Sequence, residues 1–489
     1  MADERRNILL YFSDQHTPMV SECYGGIART PVLNDMARKG TIFDAAYTSC
    51  PLCVPARMAL MSGRLPTKTG ILNNYAVLPD TIPTIAHAFA AAGYETTLIG
   101  RMHFVGENQN HGFEHRLVGD CTPPQWKPER KLQERFRGPF MTCFDERGCT
   151  DVMGGGNSPI LEYDALVTQT AVDWLSQPHD RPQFIIVGTY APHFPYVAPI
   201  EKYRYYLDKV TVPESFDNPP EFLDPAYRVR LDRFKHTREQ VIQAQAAYCG
   251  MVEQLDENIG KVRDAFWAYQ ERNGQKGAFM YSSDHGDMCG DMGLFAKMSL
   301  FETSARIPLV MEGDGIEVGV RRKDPVSIID YVPTLCGYAG IENPPCIDGV
   351  NVLDKDVDMN RAIVSEVFGI FGAPGKFPEV DHMNSISRMV RKGQYKFITR
   401  ADYEDWDILF DLDKDPKETV NIIKEHPEIA AELRKELEGL PSNEEVKARM
   451  RENWKIYDFM QLAQKPSRHL NDSYWTDSSE DSRKLPSSI

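Results

Sequence analysis

The chain has 489 residues, 42% of them hydrophobic, enough to bury a large core and to divide into two or more domains. Its formal net charge of −16 argues against nucleic-acid binding as a main role, since phosphate recognition needs clustered Lys and Arg, yet a local positive cluster can still hold a small anion. Ten cysteines at irregular intervals do not suggest a disulfide framework, and neither an export signal nor a membrane-length apolar run is seen, so a cytoplasmic protein with reduced thiols is expected.

In chain order, residues 8–13 (ILLYFS) are an unbroken apolar run ending at Asp14, the pattern of a strand buried on both faces. Thr30-Pro31 opens a helix that Gly40 stops, and a second helix around residues 85–92 ends at Gly93. ETTLIGRMHF follows as a short strand running into Arg101 and His103. Helical spacing over residues 162–176 precedes the strand 184–189, whose following loop holds His193. The longest helical pattern covers about 238–269, and GAFMYSSDHGD is then a further buried strand reaching Asp284 and His285. Strands alternating with helices predict an α/β protein with a mainly parallel sheet, in which ligands bind beyond the carboxyl ends of the strands. Asp14, His103, His193, Asp284 and His285 all fall at that end. Beyond about residue 360, MVRKGQYKFITR reads as a hairpin arm and LFDLDKDPKETVNI as a strand, a turn and a helix. The expected division is a catalytic domain over 1–360, an α+β subdomain over 361–464 and a polar tail over 465–489, either disordered or wrapped on a neighbouring subunit of a homo-oligomer.

The segment CPLCVPARMALMSGR, residues 50–64, holds the least ordinary chemistry. Pro55 suits a first helical turn and Gly63 a stop, so Cys53 sits at a helix N-terminus, where the macrodipole is expected to lower the thiol pKa. Arg57 lies one turn further along the same face. Cys50 and Cys53 taken alone are compatible with two buried small residues or with a CxxC redox pair. A Cys-dependent phosphatase is excluded, because Cys50 is too far from Arg57 and Cys53 too near.

Cys53-x-Pro55-x-Arg57 followed by MALMSGRLP resembles the sulfatase family. So do NILLYFSDQ, TPVLNDMARKGTIFDAAYTS, IGRMHFVGENQNHGFE, APHFPY and YSSDHGDMCGDMGLFAKMSLFETSARIPLV, and with LFDLDKDPKETVNI the likeness covers most of the chain. RMHFVGENQNHGFE and SSDHGDM are nearest to the choline-sulfatase branch, which is related to phosphonate monoester hydrolases. The resemblance implies an alkaline-phosphatase-like fold: a large, mainly parallel mixed sheet flanked by helices, with a smaller C-terminal α+β subdomain. It implies hydrolysis of sulfate esters, with Cys53 oxidised by a maturation enzyme to formylglycine, whose hydrate is the nucleophile. Asp14, Gln15, Asp284, His285 and the modified Cys53 are then expected to hold a divalent cation. Ca²⁺ leads by its preference for oxygen donors, and Mg²⁺ and Mn²⁺ are the alternatives.

By the same resemblance Arg57 orients the hydrate, and His103 assists its second hydroxyl in expelling sulfate. His193 and Lys297 contact the sulfate and the leaving oxygen, one of them protonating it. Arg101 stands where the family usually has lysine, keeping the charge but unable to shuttle a proton. The expected partners are a small sulfate ester and the maturation enzyme. A phosphonate monoester or phosphodiester hydrolase on the same site, and a CxxC thiol redox protein, are the competing readings. Residues 105–160, with Gly154, Gly155 and Gly156, are expected to shape specificity.

Overall fold

The structure, a computed structural model, describes residues 5–121, 149–150, 152–223, 227–228, 230–231, 235–369, 385–401 and 403–464. Much of the expected specificity region and the whole expected tail lie outside the described residues.

Eight strands form one sheet: β1 (Asn7–Asp14), β2 (Thr41–Phe43), β3 (Glu95–Gly100), β4 (His115–Leu117), β5 (Gln183–Pro192), β6 (Gly277–Ser283), β7 (Leu309–Gly313) and β8 (Val320–Arg322). Their spatial order is β8-β2-β7-β6-β1-β5-β3-β4. Only β7 runs against the others, pairing antiparallel with β6 and β2. The mainly parallel sheet expected from the alternating pattern is therefore present, and β7 makes it mixed, as the resemblance implies.

β1 lies centrally, and all eight of its residues are buried. Ile8, Leu10 and Phe12 face a core shared with Val54, Met58 and Leu60 of α2 (Cys53–Ser62). Leu9 and Tyr11 face the opposite core, shared with Val167 and Ala171 of α4 (Pro159–Ser176) and with Leu255, Ile259 and Val262 of α5 (Arg238–Asn273). Period-two alternation between two apolar layers explains why the run carries no polar residue until Ser13.

The first helix, α1 (Pro31–Lys39), begins after Thr30 and stops before Gly40 as expected. The Thr30 side chain does not cap it. Asp256 of α5 accepts instead from the backbone N–H groups of Val32 (2.9 Å) and Leu33 (3.0 Å), satisfying donors that a helix start leaves open. The short α3 (Ile85–Ala91) carries a capping box between Thr84 and His87.

A second sheet, antiparallel, has the order β9 (Ile363–Phe368), β10 (Ile386–Lys392), β11 (Tyr395–Arg400) and β12 (Ile408–Asp411), with β10 and β11 the expected hairpin. The helix expected directly after β12 begins later, as α6 (Pro427–Lys435), followed by α7 (Asn443–Gln464). Ile422 N–H bonds to the Leu409 carbonyl and Asn421 Oδ1 accepts from Leu409 N–H, so the chain first runs alongside β12.

An apolar cluster and a buried ion pair are among the contacts that fasten this sheet to the N-terminal part of the chain. Cys50, Leu52 and Leu72 pack with Phe368, Ile386 and Ala401. Lys396 of β11, fully buried, donates to Glu302 Oε1 (2.8 Å) and lies 2.7 Å from Glu418 Oε1. Burial opposes the charge on Glu302, but Lys396 and Arg306 hold that carboxyl low. Burial, with Glu302 close by, pushes Glu418 up. Removing the cation from such a group strands buried carboxylate charge. Lys396→Met is therefore expected to lower unfolding stability by about 3–5 kcal/mol, read as a drop in the urea midpoint at unchanged slope.

Candidate active site

The carboxyl ends of β1, β3, β4, β5 and β6 meet at one edge of the main sheet, and the N-terminus of α2 points into the same crevice. Leu52, extended at φ −155° and ψ 133°, precedes the helix, and Cys53 is its first residue. Asn74 Oδ1 accepts from Val54 N–H at 2.9 Å, and Gly63 ends the helix in the left-handed region at φ +66°. All ten residues of α2 are buried, which fixes the Cys53 position through packing on Phe12 and its neighbours.

Cys53 Sγ lies 3.3 Å from His285 Nε2 and 3.9 Å from Asp14 Oδ1. The lowered thiol pKa expected at a helix N-terminus is not found. Burial, together with the Asp14 carboxylate, pushes the Cys53 thiol up to about 11. Desolvation and adjacent negative charge outweigh the partial charge of a helix end. A thiol so held is a poor nucleophile, which weakens the CxxC redox reading.

Asp14 and Asp284 face two guanidinium groups. Arg57 donates through Nη2 to Asp14 Oδ2 (3.0 Å) and through Nε to Asp284 Oδ2 (2.9 Å), and Arg101 donates through Nε to Asp14 Oδ2 (2.7 Å). Burial disfavours the Asp14 charge, yet Arg101 and Arg57 hold its carboxyl well below the usual range. Asp284 Oδ1 accepts from the backbone N–H groups of Gln15 and His285, both at 2.9 Å. His285 Nδ1 lies 3.0 Å from the Gly286 carbonyl, to which it donates, so its Nε2 lone pair faces Asp14 and Cys53. One ligand atom each from Asp14, Cys53, Asp284 and His285 lies within 4.8 Å of the others.

These donors fit a divalent cation: carboxylate oxygens, an imidazole in the ligating tautomer, and a position at residue 53 that formylglycine would fill with oxygen. The charges agree. Asp14, Asp120 and Asp284 face Arg57, Arg101 and Lys297, while burial pushes the Asp287 carboxyl up, and a divalent cation turns the site positive, as holding an anion requires.

Gln15 sits at φ +65°, and its amide is engaged elsewhere: Nε2 donates to Asp287 Oδ2 and Oε1 accepts from Lys297 Nζ, both at 2.5 Å. Lys297 also donates to His193 Nε2 at 2.6 Å, and His193 Nδ1 donates to the Phe194 carbonyl at 2.7 Å. Arg101 reaches its place because β3 and β5 approach closely at two glycines. A Cβ on Gly188 would lie 1.8 Å from the Arg101 carbonyl oxygen, and Gly100 has φ +85°. All ten residues expected at the site thus line one buried crevice.

A family model described as Sulfatase matches residues 6–341, and one described as N-sulphoglucosamine sulphohydrolase, C-terminal, matches residues 290–443. A choline-sulfatase of Rhizobium meliloti is 34% identical over 447 residues, covering 86% of this chain and 83% of that protein. The chain belongs to the sulfatase family. Arylsulfatase K of Rattus norvegicus is 27% identical, covering 99% of this chain and 87% of its own. Among solved structures, the phosphonate monoester hydrolase of Agrobacterium radiobacter shares the fold with a TM-score of 0.69 at 21% identity, over 89% of this chain and 95% of that one.

Three groups in this sulfatase's site escaped the sequence reading. Asp120, just beyond β4, takes Arg101 Nη1 (2.8 Å) on Oδ1 and the His103 backbone N–H (2.6 Å) on Oδ2. Asp287 accepts from Gln15, from the Tyr196 hydroxyl (2.7 Å) and from the backbone N–H groups of Cys289 and Ala296. Asn74 caps the Cys53 helix. A strand-end carboxylate was a readable signal for Asp120, and Asp287 stands two residues beyond His285. Nothing in the sequence singles out Asn74.

Proposed function

We propose that this sulfatase hydrolyses small sulfate esters, with a choline-type ester the first candidate, through a formylglycine made from Cys53. The observation that carries the reading is the convergence of Cys53, Asp14, Asp284 and His285 at the N-terminus of α2, ringed by Arg57, Arg101 and Lys297. The 34% identity with a choline-sulfatase supports the choice of ester. The unpaired thiols of the buried Cys50, Cys249, Cys289 and Cys336 fit the cytoplasmic setting that belongs to the same reading. The division into a catalytic domain over 1–360 and a subdomain over 361–464 is part of the same proposal.

When formed, the formylglycine hydrate supplies an oxygen nucleophile, and a divalent cation, with Ca²⁺ favoured, would be held by Asp14, Asp284, His285 and residue 53. Gln15, whose Oε1 accepts from Lys297, would join that ligand set only by giving up this contact. The chain's own residues then divide the remaining work. Arg57, fully buried and paired with Asp14 and Asp284, holds both carboxylates in place and aims them at the cation site. Lys297 and His193, in contact at 2.6 Å, meet the sulfate and the leaving oxygen. Lys297 is the proton donor, because in this arrangement His193 Nε2 accepts. Fixed cations spare the site reorganisation as negative charge gathers on the departing alkoxide.

The test is product release by protein purified from its native host. Choline sulfate is expected to yield sulfate with kcat/KM at least about 100-fold above that for a phenyl phosphonate monoester, the scale that one or two well-placed polar contacts give. Preferential cleavage of the phosphonate would overturn the sulfate reading.

A further inference from the structure

Arg101 Nη2 lies 2.8 Å from His103 Nδ1. A guanidinium only donates and stays protonated, so the imidazole nitrogen facing it must be the acceptor. A neutral imidazole has a single N–H, which then sits on Nε2. The same guanidinium is held by Asp14 Oδ2 (2.7 Å) and Asp120 Oδ1 (2.8 Å), and it lies 4.7 Å over the Tyr190 ring. Asp120 Oδ2 takes the His103 backbone N–H at 2.6 Å and anchors a residue whose φ is +59°, strained for a side chain with a Cβ. His193 is set the other way, with its Nδ1–H on the Phe194 carbonyl and its Nε2 accepting from Lys297.

We propose that Arg101 is a positioning residue that fixes His103 as a hydrogen-bond donor through Nε2, opposite in tautomer to His193 and His285. His103 therefore cannot take a proton at Nε2, and it is not the base that assists the second hydroxyl. It donates to an oxygen of the bound sulfate group, a role that rests on the sulfate reading above, whereas the tautomer itself does not. Gaining a second proton would put it on Nδ1, against the guanidinium. Burial and the Arg101 charge accordingly hold the ring far below its ordinary pKa.

The experiment is a two-bond ¹H–¹⁵N correlation spectrum of the full chain labelled at histidine, with His103 assigned by the loss of its signals in His103→Gln. Expected are a pyrrole-type Nε2 and a pyridine-type Nδ1 for His103, and the reverse pattern for His193. In Arg101→Met the two His103 nitrogen shifts are expected to converge as both tautomers become populated. A wild-type His103 protonated at Nδ1, or tautomer-averaged, overturns the proposal whether or not the variant folds; so does a pattern that Arg101→Met leaves unchanged. Sulfate release from choline sulfate is measured on the same sample. Release with the wrong tautomer overturns the proposal and leaves the sulfatase reading standing, while the expected tautomer without release supports the assignment and removes the reading.

Discussion

Cys53→Ala is expected to abolish sulfate ester hydrolysis, with kcat falling by more than about 10⁴-fold, while Cys50→Ala keeps kcat within about threefold of wild type. The two thiols stand three residues apart but face different surroundings. Cys53 opens α2 among Asp14, Asp284 and His285, whereas Cys50 packs against Leu72, Phe368, Ile386 and Ala401 at the join between the two sheets. Burial pushes the Cys50 thiol well up as well, which leaves it an apolar packing group. Truncating it costs roughly 1 kcal/mol of stability for the lost sulfur contacts and leaves the crevice untouched. A redox pair behaves otherwise, because either cysteine alone is then inactive. Steady-state rates of the two variants, with the mass of the peptide spanning residues 40–57, decide the matter. An aldehyde at position 53 and an intact thiol at position 50 are expected, and an inactive Cys50→Ala would restore the CxxC reading.

Stripping divalent cations with a chelator is expected to lower turnover by more than about 10³-fold, and added Ca²⁺ to restore it. The reason lies in the balance of charge. Without a cation, the buried carboxylates of Asp14, Asp120 and Asp284 offset Arg57, Arg101 and Lys297, and a sulfate anion finds no net attraction. Asp284→Asn removes one charged ligand group and one of the two carboxylates that Arg57 binds. It should weaken Ca²⁺ binding by more than about 100-fold in calorimetry. Because Arg57 loses a partner in a dry interior, the variant should also unfold about 3 kcal/mol more easily. Full turnover after chelation, with metal content confirmed by elemental analysis, would show that the carboxylates serve only to hold the arginines.

How much of this was legible in the chain divides along one line. Local features were readable from neighbours in sequence: the apolar run of β1 ending at Asp14, the Pro55 and Gly63 limits of α2, the hairpin of β10 and β11, and polar residues waiting at strand ends. They follow from side-chain period and from terminal donors that cap or stop an element within a few residues. Only the tertiary structure decided that the Cys53 thiol is raised, that Asp256 rather than the Thr30 side chain caps α1, that Asp287 belongs to the site, and which nitrogen of His103, His193 and His285 carries the proton. Those properties depend on desolvation and on partners far along the chain. Arg57 meets Asp284 across 227 residues, Arg101 meets Asp14 across 87, and Lys297 meets His193 across 104. No local pattern encodes such a distance, because a pKa or a tautomer is set by what the fold brings within 3 Å after water has been excluded.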